Sequence, residues 1–384
     1  FAQGAKEAFS KVINADMGKF SVMQMLAAYC DNLLKVSEQT GSFKMTEAEV
    51  DVVLQRCMSV FGHLIDKDMF ADLHRTYLAK RLIGKRSVSS DAEKLIVDLM
   101  KMQCGAQFTS KLEGMLYDYQ LAGATQTEYD TVLRAWQPQQ SLDVRQIVFH
   151  NTLLTASYWP TQKPREFCYP PEMSALQMHF TEWYKGKFGV RSLQWVATLG
   201  DVSVAVYLKT RDYEVTVTVL QAVVLRCFHQ LSEELTFSQI STQSGIKDEE
   251  VLKRVLHSLA CQKHKLLLKG SEAKGLTQES FRVNTGFTNK LKKFRVPMAA
   301  LDDTENGTSR HVLEDRTNSV DASIVRIMKS RKILAHSELQ FEVMRQLIGF
   351  QPEVRFIKQR IESLIERDFL ERDTNDARCY KYVP

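Results

Sequence analysis

Apolar residues recur at helical spacing through the first part of the chain. One such stripe consists of Val22, Leu26, Tyr29, Cys30 and Leu33. These intervals of three and four place the side chains on one face of a helix. Further stripes of this kind follow, separated by short polar connections. Because short connections favour antiparallel neighbours, residues 1–160 are predicted to form a helical bundle.

Two capping-box patterns mark predicted helix starts in this bundle. Thr46 stands three residues before Glu49, and Ser90 stands three residues before Glu93. In such a box, a hydroxyl and a carboxylate satisfy backbone N–H groups of the first helical turn. Helices are therefore predicted to begin at both places, and Gly105 is predicted to end the second of them.

The hydrophobic period changes after Pro160. Three β-prone runs follow, at residues 192–199, 202–208 and 213–219. In the last two runs valine alternates with small or polar residues, as in a half-buried strand. So small a sheet needs helices behind it. Residues 161–230 are therefore predicted to form an α/β domain with an open sheet edge, and residues 281–297 are a further candidate contributor.

Two later stretches repeat one plan, 105 residues apart. Their apolar helix positions are Leu252, Leu256, Leu259 and Ala260 in the first copy and Ile357, Ile361, Leu364 and Ile365 in the second. In each copy a shorter helix comes before a turn, and a strand-like piece follows the longer helix. This is the winged-helix plan, predicted for residues 231–280 and 318–384. The polar residues 298–317 are predicted to be a mobile linker.

Together these elements predict a mainly α fold with α+β character: a helical bundle, a small α/β domain and two winged-helix modules. Apolar residues make up 44% of the chain and charged residues 25%, as in ordinary globular proteins. The excess of 5 positive charges is too small to indicate nucleic-acid binding by itself. No apolar run is long enough for a membrane span. A chain that begins with Phe1 is interpreted as part of a longer protein.

Patterns of catalytic or metal-binding residues are missing from the sequence. Gly84-Lys85 resembles the end of a P-loop, but Ala79 replaces its first glycine and Arg86 its Ser/Thr. The seven cysteines lack CxxC spacing, and the nine histidines are dispersed. We therefore predict no catalytic residue, no metal site and no cofactor, and a chain that is not an enzyme.

The second winged helix raises the question of DNA binding. Its candidate recognition helix carries Arg355, Lys358 and Arg360, together with Glu353, Glu362 and Glu366. The basic side chains could contact phosphates, but the carboxylates would repel them. An interaction with protein is therefore favoured, and a DNA-binding winged-helix protein is the alternative.

Lys329 occupies a distinctive place on a predicted helix. Ile324, Ile327 and Met328 form the apolar stripe, and Lys329 lies about 140° from its centre. Its neighbours in sequence include the cations Arg326, Arg331 and Lys332. An amine held in water at a fixed position suits acylation by the carboxyl terminus of a ubiquitin-like protein. By the pattern alone, a solvated lysine without such a role is the more common case.

Several runs of residues resemble the cullin family. Val320 to Lys332 and Ile357 to Arg372 are similar to the cullin C-terminal signature. Upstream similarities to the cullin-homology domain are Tyr29 to Lys35, Asp66 to Phe70, Leu78 to Leu82, Phe108 to Leu112, Trp159-Pro160 and Leu193 to Trp195. The resemblance runs in order from about residue 20 to the end. It does not include the long N-terminal half of a cullin, which binds substrate adaptors.

The resemblance implies a non-catalytic scaffold subunit of a cullin-RING ubiquitin ligase. Its α/β sheet is expected to accept a strand from a RING-box protein by strand addition. Zinc is then expected in that partner rather than in this chain. The residues expected at this contact are Leu193, Trp195, Val202, Val204, Val206, Val215 and Val217.

The resemblance also implies that Lys329 forms an isopeptide bond with a ubiquitin-like modifier, the reaction called neddylation. The modifier is expected to displace the last winged helix about a hinge before Asn318. Further implied partners are a ubiquitin-conjugating enzyme bound by the RING, a cullin exchange factor, a deneddylating complex, and substrate adaptors bound by the N-terminal half. Neither a membrane nor a nucleic acid is expected as a partner, and the expected location is the cytoplasm and the nucleus.

Overall fold

The chain divides into two compact units. The first comprises Phe1–Gly123, Thr152–Pro160 and Thr304–Pro384, and the second Ala124–Asn151 and Thr161–Asp303. The C-terminal winged-helix residues thus belong to the same unit as the helical bundle. The computed structural model describes residues 2–15, 21–36, 45–136, 144, 147–160, 165–208, 211–228, 234–270, 279–298, 304–373, 376 and 378–383.

The helical bundle of the first unit is built from amphipathic helices. Its described helices are α1 Ala2–Ile13, α2 Val22–Leu34, α3 Glu47–Phe61, α4 Lys67–Ile83, α5 Ser90–Cys104 and the first part of α6 Ala106–Ala135. Helix α2 packs against α3 and α4, and α3 packs against α5. The buried core of the bundle includes Cys30, Leu34, Leu54, Phe61, Phe70, Leu78, Ile96, Met100 and Met115. Most of the predicted stripe on α2 is buried, whereas Tyr29 is 51% exposed.

The capping pattern at Thr46 is confirmed, but the pattern at Ser90 was interpreted wrongly. Thr46 and Glu49 form the reciprocal pair of hydrogen bonds expected at the start of α3. At α5 the N-cap residue is Ser89, whose hydroxyl accepts from Asp91 N–H. Glu93 is instead fully buried, where it accepts hydrogen bonds from Arg81. Gly105 ends α5 with φ of 88°, as predicted.

The C-terminal module has the predicted winged-helix plan. It consists of α11 Thr304–Arg331, β7 Ile333–Ala335, α12 His336–Gln346, α13 Val354–Glu366, β8 Leu370–Arg372 and β9 Cys379–Tyr382. Strand β9 lies between β7 and β8 and is antiparallel to both. The helices bury Ile324, Ile327, Met328, Leu339, Ile357, Ile361 and Leu364.

The predicted linker at residues 298–317 is wrong for its described second half. Residues 304–317 are the first half of α11, which continues without a break to Arg331. The sequence suggested a linker because this segment is polar, but a helix on the protein surface can be polar too, and Leu313, Glu314 and Asp315 are exposed. This segment is packed onto the rest of the unit: Val312 is buried, and Arg316 pairs with Asp66 and Asp68. Residues 299–303 lie outside the described residues.

The second unit contains two small sheets with their helices. Its elements are the end of α6, α7 Pro171–Phe188, a short 3-10 turn Ala197–Leu199, β1 Asp201–Tyr207, β2 Asp212–Thr218, α8 Val219–Arg226, β3 Glu234–Thr236, α9 Phe237–Ser244, α10 Glu249–Ala260, β4 Leu267–Lys269, β5 Ser280–Val283 and β6 Lys293–Arg295. One sheet has the order β1-β2-β6 and the other the order β3-β5-β4. Of the candidate residues 281–297, β6 joins the first sheet, whereas β5 pairs in the second.

The first winged helix has the same plan as the second. Helices α9 and α10 come before the wing strands, and α10 buries Leu252, Leu256 and Leu259 in the core of this unit. The mainly α fold with α+β character is therefore confirmed. None of the helices that the structure describes is both long enough and apolar enough to cross a membrane.

The strand predicted from Ser192 to Leu199 does not form. Residues 191–196 have no regular structure, and the 3-10 turn follows them. Trp195 explains the difference, since its indole N–H donates to the Thr181 hydroxyl at 3.1 Å and its ring packs edge-on to Phe180 at 5.7 Å. Packing against α7 therefore determines the path of this segment.

Candidate functional site

Strand β1 is the outer strand of its sheet. In the sheet order β1-β2-β6, the described strands pair with only one edge of β1. Val219 N–H donates to the Gly200 carbonyl at 3.1 Å, so Gly200 and Val219 are a hydrogen-bonded pair. Because such pairs alternate in an antiparallel ladder, the backbone groups of Val202 and Val204 point toward β2. Those of Ser203 and Ala205 point away from it, toward the open edge.

The side chains of β1 alternate between two environments. Val202, Val204 and Val206 are half-buried and pack against the core of the second unit, whereas Ser203 and Ala205 are exposed. The strand therefore has one face on the core and an edge whose backbone groups pair with none of the described strands. Such an edge can accept a strand from another polypeptide.

Four of the residues predicted to contact a RING-box protein do not lie on the open edge of the sheet. Val215 and Val217 are 0% and 1% exposed, on a strand that is paired on both sides. Their side chains fill the core of this chain, so they offer neither surface nor backbone to a partner. Leu193 and Trp195 precede the sheet and are half-buried without belonging to a strand. The prediction that Leu193 and Trp195 lie on a strand edge is therefore wrong.

Lys329 lies in the last turn of α11. Ile324, Ile327 and Met328 on the same helix are at most 2% exposed, and Lys329 is exposed on the opposite side. The helical stripe therefore places this side chain in water, as predicted. Within the described part of the chain, its amine has no hydrogen-bond or ion-pair partner.

Arg326 and Arg331, two of the cations near Lys329, each contact a side chain of the neighbouring helix. Arg326 donates to Gln346 Oε1 at 2.8 Å, and Arg331 forms an ion pair with Glu342 at 2.9 Å. Both acceptors lie on α12, which runs beside α11. These contacts direct the two guanidinium groups toward α12.

Helix α11 is fixed within its module by Asp321. Its carboxylate accepts hydrogen bonds from Arg360 and Arg367 on the other side of the module. Although partial burial opposes ionisation, these hydrogen bonds hold the pKa of Asp321 below its ordinary value. The helix that carries Lys329 is thereby attached to α13 two turns before the lysine.

The same contact bears on the alternative of DNA binding. Arg360 is one of the three cations proposed for phosphate contact, and its guanidinium is bound to Asp321 at 2.7 and 2.8 Å. Arg355 and Lys358 remain exposed on α13. The helix therefore keeps two of its three candidate phosphate contacts.

Sequence reasoning missed Gln346 and Tyr382 at this site. Gln346 is the acceptor for Arg326, and Tyr382 lies beneath the amine of Lys332 at 5.3 Å from the ring centroid. Tyr380 and Tyr382 alternate along the predicted last strand, and this period of two could have indicated that both face the module. Within the described ranges, no three His, Cys, Asp or Glu side chains come together as a metal site would require.

Comparison with known proteins places this combination of helical bundle, α/β domain and winged helix in one family. Residues 1–126 match the cullin alpha solenoid domain. Residues 153–287 match the cullin alpha+beta domain, and residues 315–376 match the cullin protein neddylation domain. The three matches follow one another along the chain, and the chain belongs to the cullin family.

Similar proteins occur in plants and animals. Cullin-1 of Oryza sativa subsp. japonica is 35% identical over 388 residues, covering 100% of this chain and 50% of the relative. Cullin-4A of Homo sapiens is 35% identical over 387 residues, covering 100% and 49%. Cullin-3B of Arabidopsis thaliana is 38% identical over 345 residues, covering 88% and 46%. The chain thus spans about half the length of the curated relatives it matches.

Proposed function

We propose that this chain is a scaffold subunit of a cullin-RING ubiquitin ligase and catalyses no reaction itself. Membership of the cullin family supports this role, as does the lack of a catalytic motif in the sequence. The observation that carries the proposal is the exposed Lys329, which lies within residues 315–376, the segment that matches the neddylation domain.

Lys329 is the proposed attachment site for the ubiquitin-like modifier. The helix that carries it is anchored by buried Ile324, Ile327 and Met328 and by the contact of Asp321 with α13. A fixed backbone with a mobile, solvated amine suits attack on a thioester that another enzyme presents. Arg326 and Arg331 are neighbours that cannot accept the modifier.

The open edge of β1 is the proposed binding site for a RING-box protein. An added strand would pair with the outward backbone groups of Ser203 and Ala205. Val202, Val204 and Val206 would stabilise the strand from its core side. Zinc would be held by the RING of the partner, and this chain would need no cofactor of its own.

The remaining partners of the proposed assembly follow from the scaffold role. The RING recruits a ubiquitin-conjugating enzyme, and the exchange factor and the deneddylating complex act on the same scaffold. Substrate adaptors bind the other half of a full-length cullin. Such ligases work in the cytoplasm and the nucleus.

Capture of a RING-box protein tests the sheet edge. Ala205→Pro removes an N–H that points to the open edge and leaves the hydrogen bonds to β2 in place, since proline is tolerated on edge strands. We expect it to reduce capture at least tenfold, whereas Ala205→Val, which keeps the N–H, retains capture. Equal capture by both variants would place the partner elsewhere.

Reconstituted conjugation tests the lysine. The chain and its RING-box partner are incubated with a conjugating enzyme charged with the modifier, and the attachment site is mapped by mass spectrometry. Lys329→Arg should abolish the main conjugate, and Lys358→Arg, a control at an exposed lysine of the same module, should leave it. A conjugate that persists at full yield in Lys329→Arg would refute the assignment.

A further inference from the structure

Two lysines lie within four residues of each other at the end of α11. Lys329 is the proposed acceptor, and Lys332 follows one helical turn later. Both residues are exposed to solvent. Exposure alone therefore gives no reason for a modifier to prefer one amine over the other.

The backbone of Lys332 is held on both sides. Its φ of 71° is left-handed and ends the helix, and its N–H donates to the Met328 carbonyl at 2.8 Å. Its own carbonyl accepts from Tyr382 N–H at 2.9 Å. The base of the side chain is thus fixed next to the end of β9.

The same tyrosine also holds the side chain of Lys332. The amine lies 5.3 Å from the centroid of the Tyr382 ring, within the distance at which an ammonium is attracted to an aromatic face. Tyr382 is half-buried and packs against the core of its module, so the ring is not free to follow the amine. Lys329 has no such partner among the described residues.

We propose that Tyr382 is a specificity-determining residue, which retains the amine of Lys332 on its ring and leaves Lys329 as the preferred acceptor. This inference rests on the proposed modification of the module. Tyr382 acts through Lys332 and does not touch the modifier itself.

The chemistry explains why retention matters. In the conjugation step, the neutral lysine nitrogen attacks the carbonyl carbon of the thioester between the modifier and the cysteine of its conjugating enzyme. A C–N isopeptide bond forms, the C–S bond breaks, the enzyme's sulfur leaves as thiolate, and the amine loses a proton to solvent. An ammonium on the ring must first leave it before its nitrogen can approach the thioester.

Site-resolved conjugation of ring variants tests the proposal. At exposed sites a cation–π contact changes occupancy by about two- to fivefold, so Tyr382→Leu should raise the ratio of Lys332 to Lys329 conjugates by about that factor. Tyr382→Phe retains the ring and should keep the wild-type ratio. In the Lys329→Arg background, Tyr382→Leu should likewise raise conjugation at Lys332. Identical ratios in Tyr382→Leu and Tyr382→Phe would overturn the proposal.

An enzyme-free measurement separates this inference from the proposed function. Limited labelling with an N-hydroxysuccinimide ester reports the availability of each amine, with no modifier present. Lys329 should label faster than Lys332, and both Tyr382→Leu and Tyr382→Met should reduce the difference; circular dichroism checks that the variants are folded. If labelling is selective but no modifier attaches to the wild-type chain, the proposed function fails and the role of Tyr382 stands. Equal labelling of the two lysines in the wild type would refute the role of Tyr382 but would leave the proposed function untouched.

Discussion

Arg316 on α11 forms a bidentate pair with Asp68 at the start of α4. Its Nε lies 2.6 Å from Oδ2 of Asp68, and its Nη2 lies 2.7 Å from Oδ1. Asp66 accepts a further hydrogen bond at 2.7 Å, and the guanidinium covers the ring of Phe350 at 4.7 Å. The hydrogen bonds from Arg316 to Asp68 hold the pKa of Arg316 above its ordinary value. This group of residues fastens the helix that carries Lys329 to the bundle of the first unit.

Breaking this pair should destabilise the first unit. The side chains of Arg316 and Asp68 are each about four-fifths buried. A hydrogen bond between charged groups contributes more to stability when it is buried than when it lies on an open surface. We expect a coupling of about 1–2 kcal/mol between Arg316→Gln and Asp68→Asn in a double-mutant cycle of denaturant unfolding.

A matched pair on the same helix provides the control. Lys111 and Asp315 form an ion pair at 3.3 Å with side chains 44% and 53% exposed. Their coupling should stay below about 0.5 kcal/mol, because exposed pairs are screened by solvent. Equal couplings for the two pairs would show that Arg316 does not fasten the helix.

Glu93 should behave as half of a buried ion pair rather than as a helix cap. Its carboxylate is 0% exposed and accepts from Arg81 at 2.7 and 2.8 Å and from the Ser87 hydroxyl at 2.7 Å. Glu93→Ala leaves the guanidinium buried with Asp31 as its remaining carboxylate partner, so we expect a loss of about 3 kcal/mol in the free energy of unfolding. Loss of a cap would cost only about 1 kcal/mol.

The neighbouring Lys94 is the control for this prediction. Its amine is 3.9 Å from an exposed carboxylate and its side chain is 48% exposed. Lys94→Gln should therefore change the free energy of unfolding by less than about 0.5 kcal/mol. A cost of about 1 kcal/mol for Glu93→Ala would support the capping interpretation of the sequence instead.

The correct and the wrong predictions about the fold have a common physical origin. Periodicity reports which faces of an element are buried, so it found the helices of the bundle and the repeat in α10 and α13. It does not report the partner of a polar residue. The buried carboxylate of Glu93 is explained by Arg81 on another helix. The contact of Arg316 with Asp68 joins residues 248 positions apart, and no local pattern contains either contact.

For the candidate site too, periodicity predicted which side chains are buried or exposed but not which distant residues they contact. The stripe of Ile324, Ile327 and Met328 was enough to place Lys329 in water. It could not show that Tyr382 lies beneath Lys332, because strand β9 follows only after two further helices. Alternation likewise predicted the strand that contains Val215, but only the pairing of that strand on both sides reveals that it is central.

Gly245 should be intolerant of a side chain. It has φ of 69°, a left-handed conformation that favours glycine, and an added Cβ would lie 2.5 Å from Sγ and 2.8 Å from the backbone nitrogen of Cys168. Gly245→Ala should therefore lower the free energy of unfolding of the second unit by at least about 1–3 kcal/mol. Gly186→Ala on α7 is the control, since nothing lies within 4 Å of its added Cβ, and it should stabilise by about 0.4–1 kcal/mol. Similar effects of the two substitutions would argue against a tight turn at Gly245.

His74 should make the first unit sensitive to mild acid. The ring is fully buried, and neither ring nitrogen has a partner among the described residues. Burial, with a smaller contribution from the charge of Arg81, lowers the pKa of His74 to about 3. Between the ordinary value of 6.5 and this value, the unfolded chain binds a proton that the folded chain does not. Stability should therefore fall as the pH falls through this window, by up to about 1.4 kcal/mol per pH unit.

Removing the imidazole tests this pH dependence directly. His74→Leu keeps the apolar packing against Phe70, whose ring lies 6.0 Å from the imidazole, and has no group that titrates in the window. Denaturant unfolding of the wild type and of His74→Leu at pH 7.5 and pH 5 should give a smaller loss for the variant. Because other groups titrate in both proteins, the difference between the two losses is the quantity that reports His74. Equal losses would mean that the imidazole takes up a proton in the folded chain as easily as in the unfolded chain.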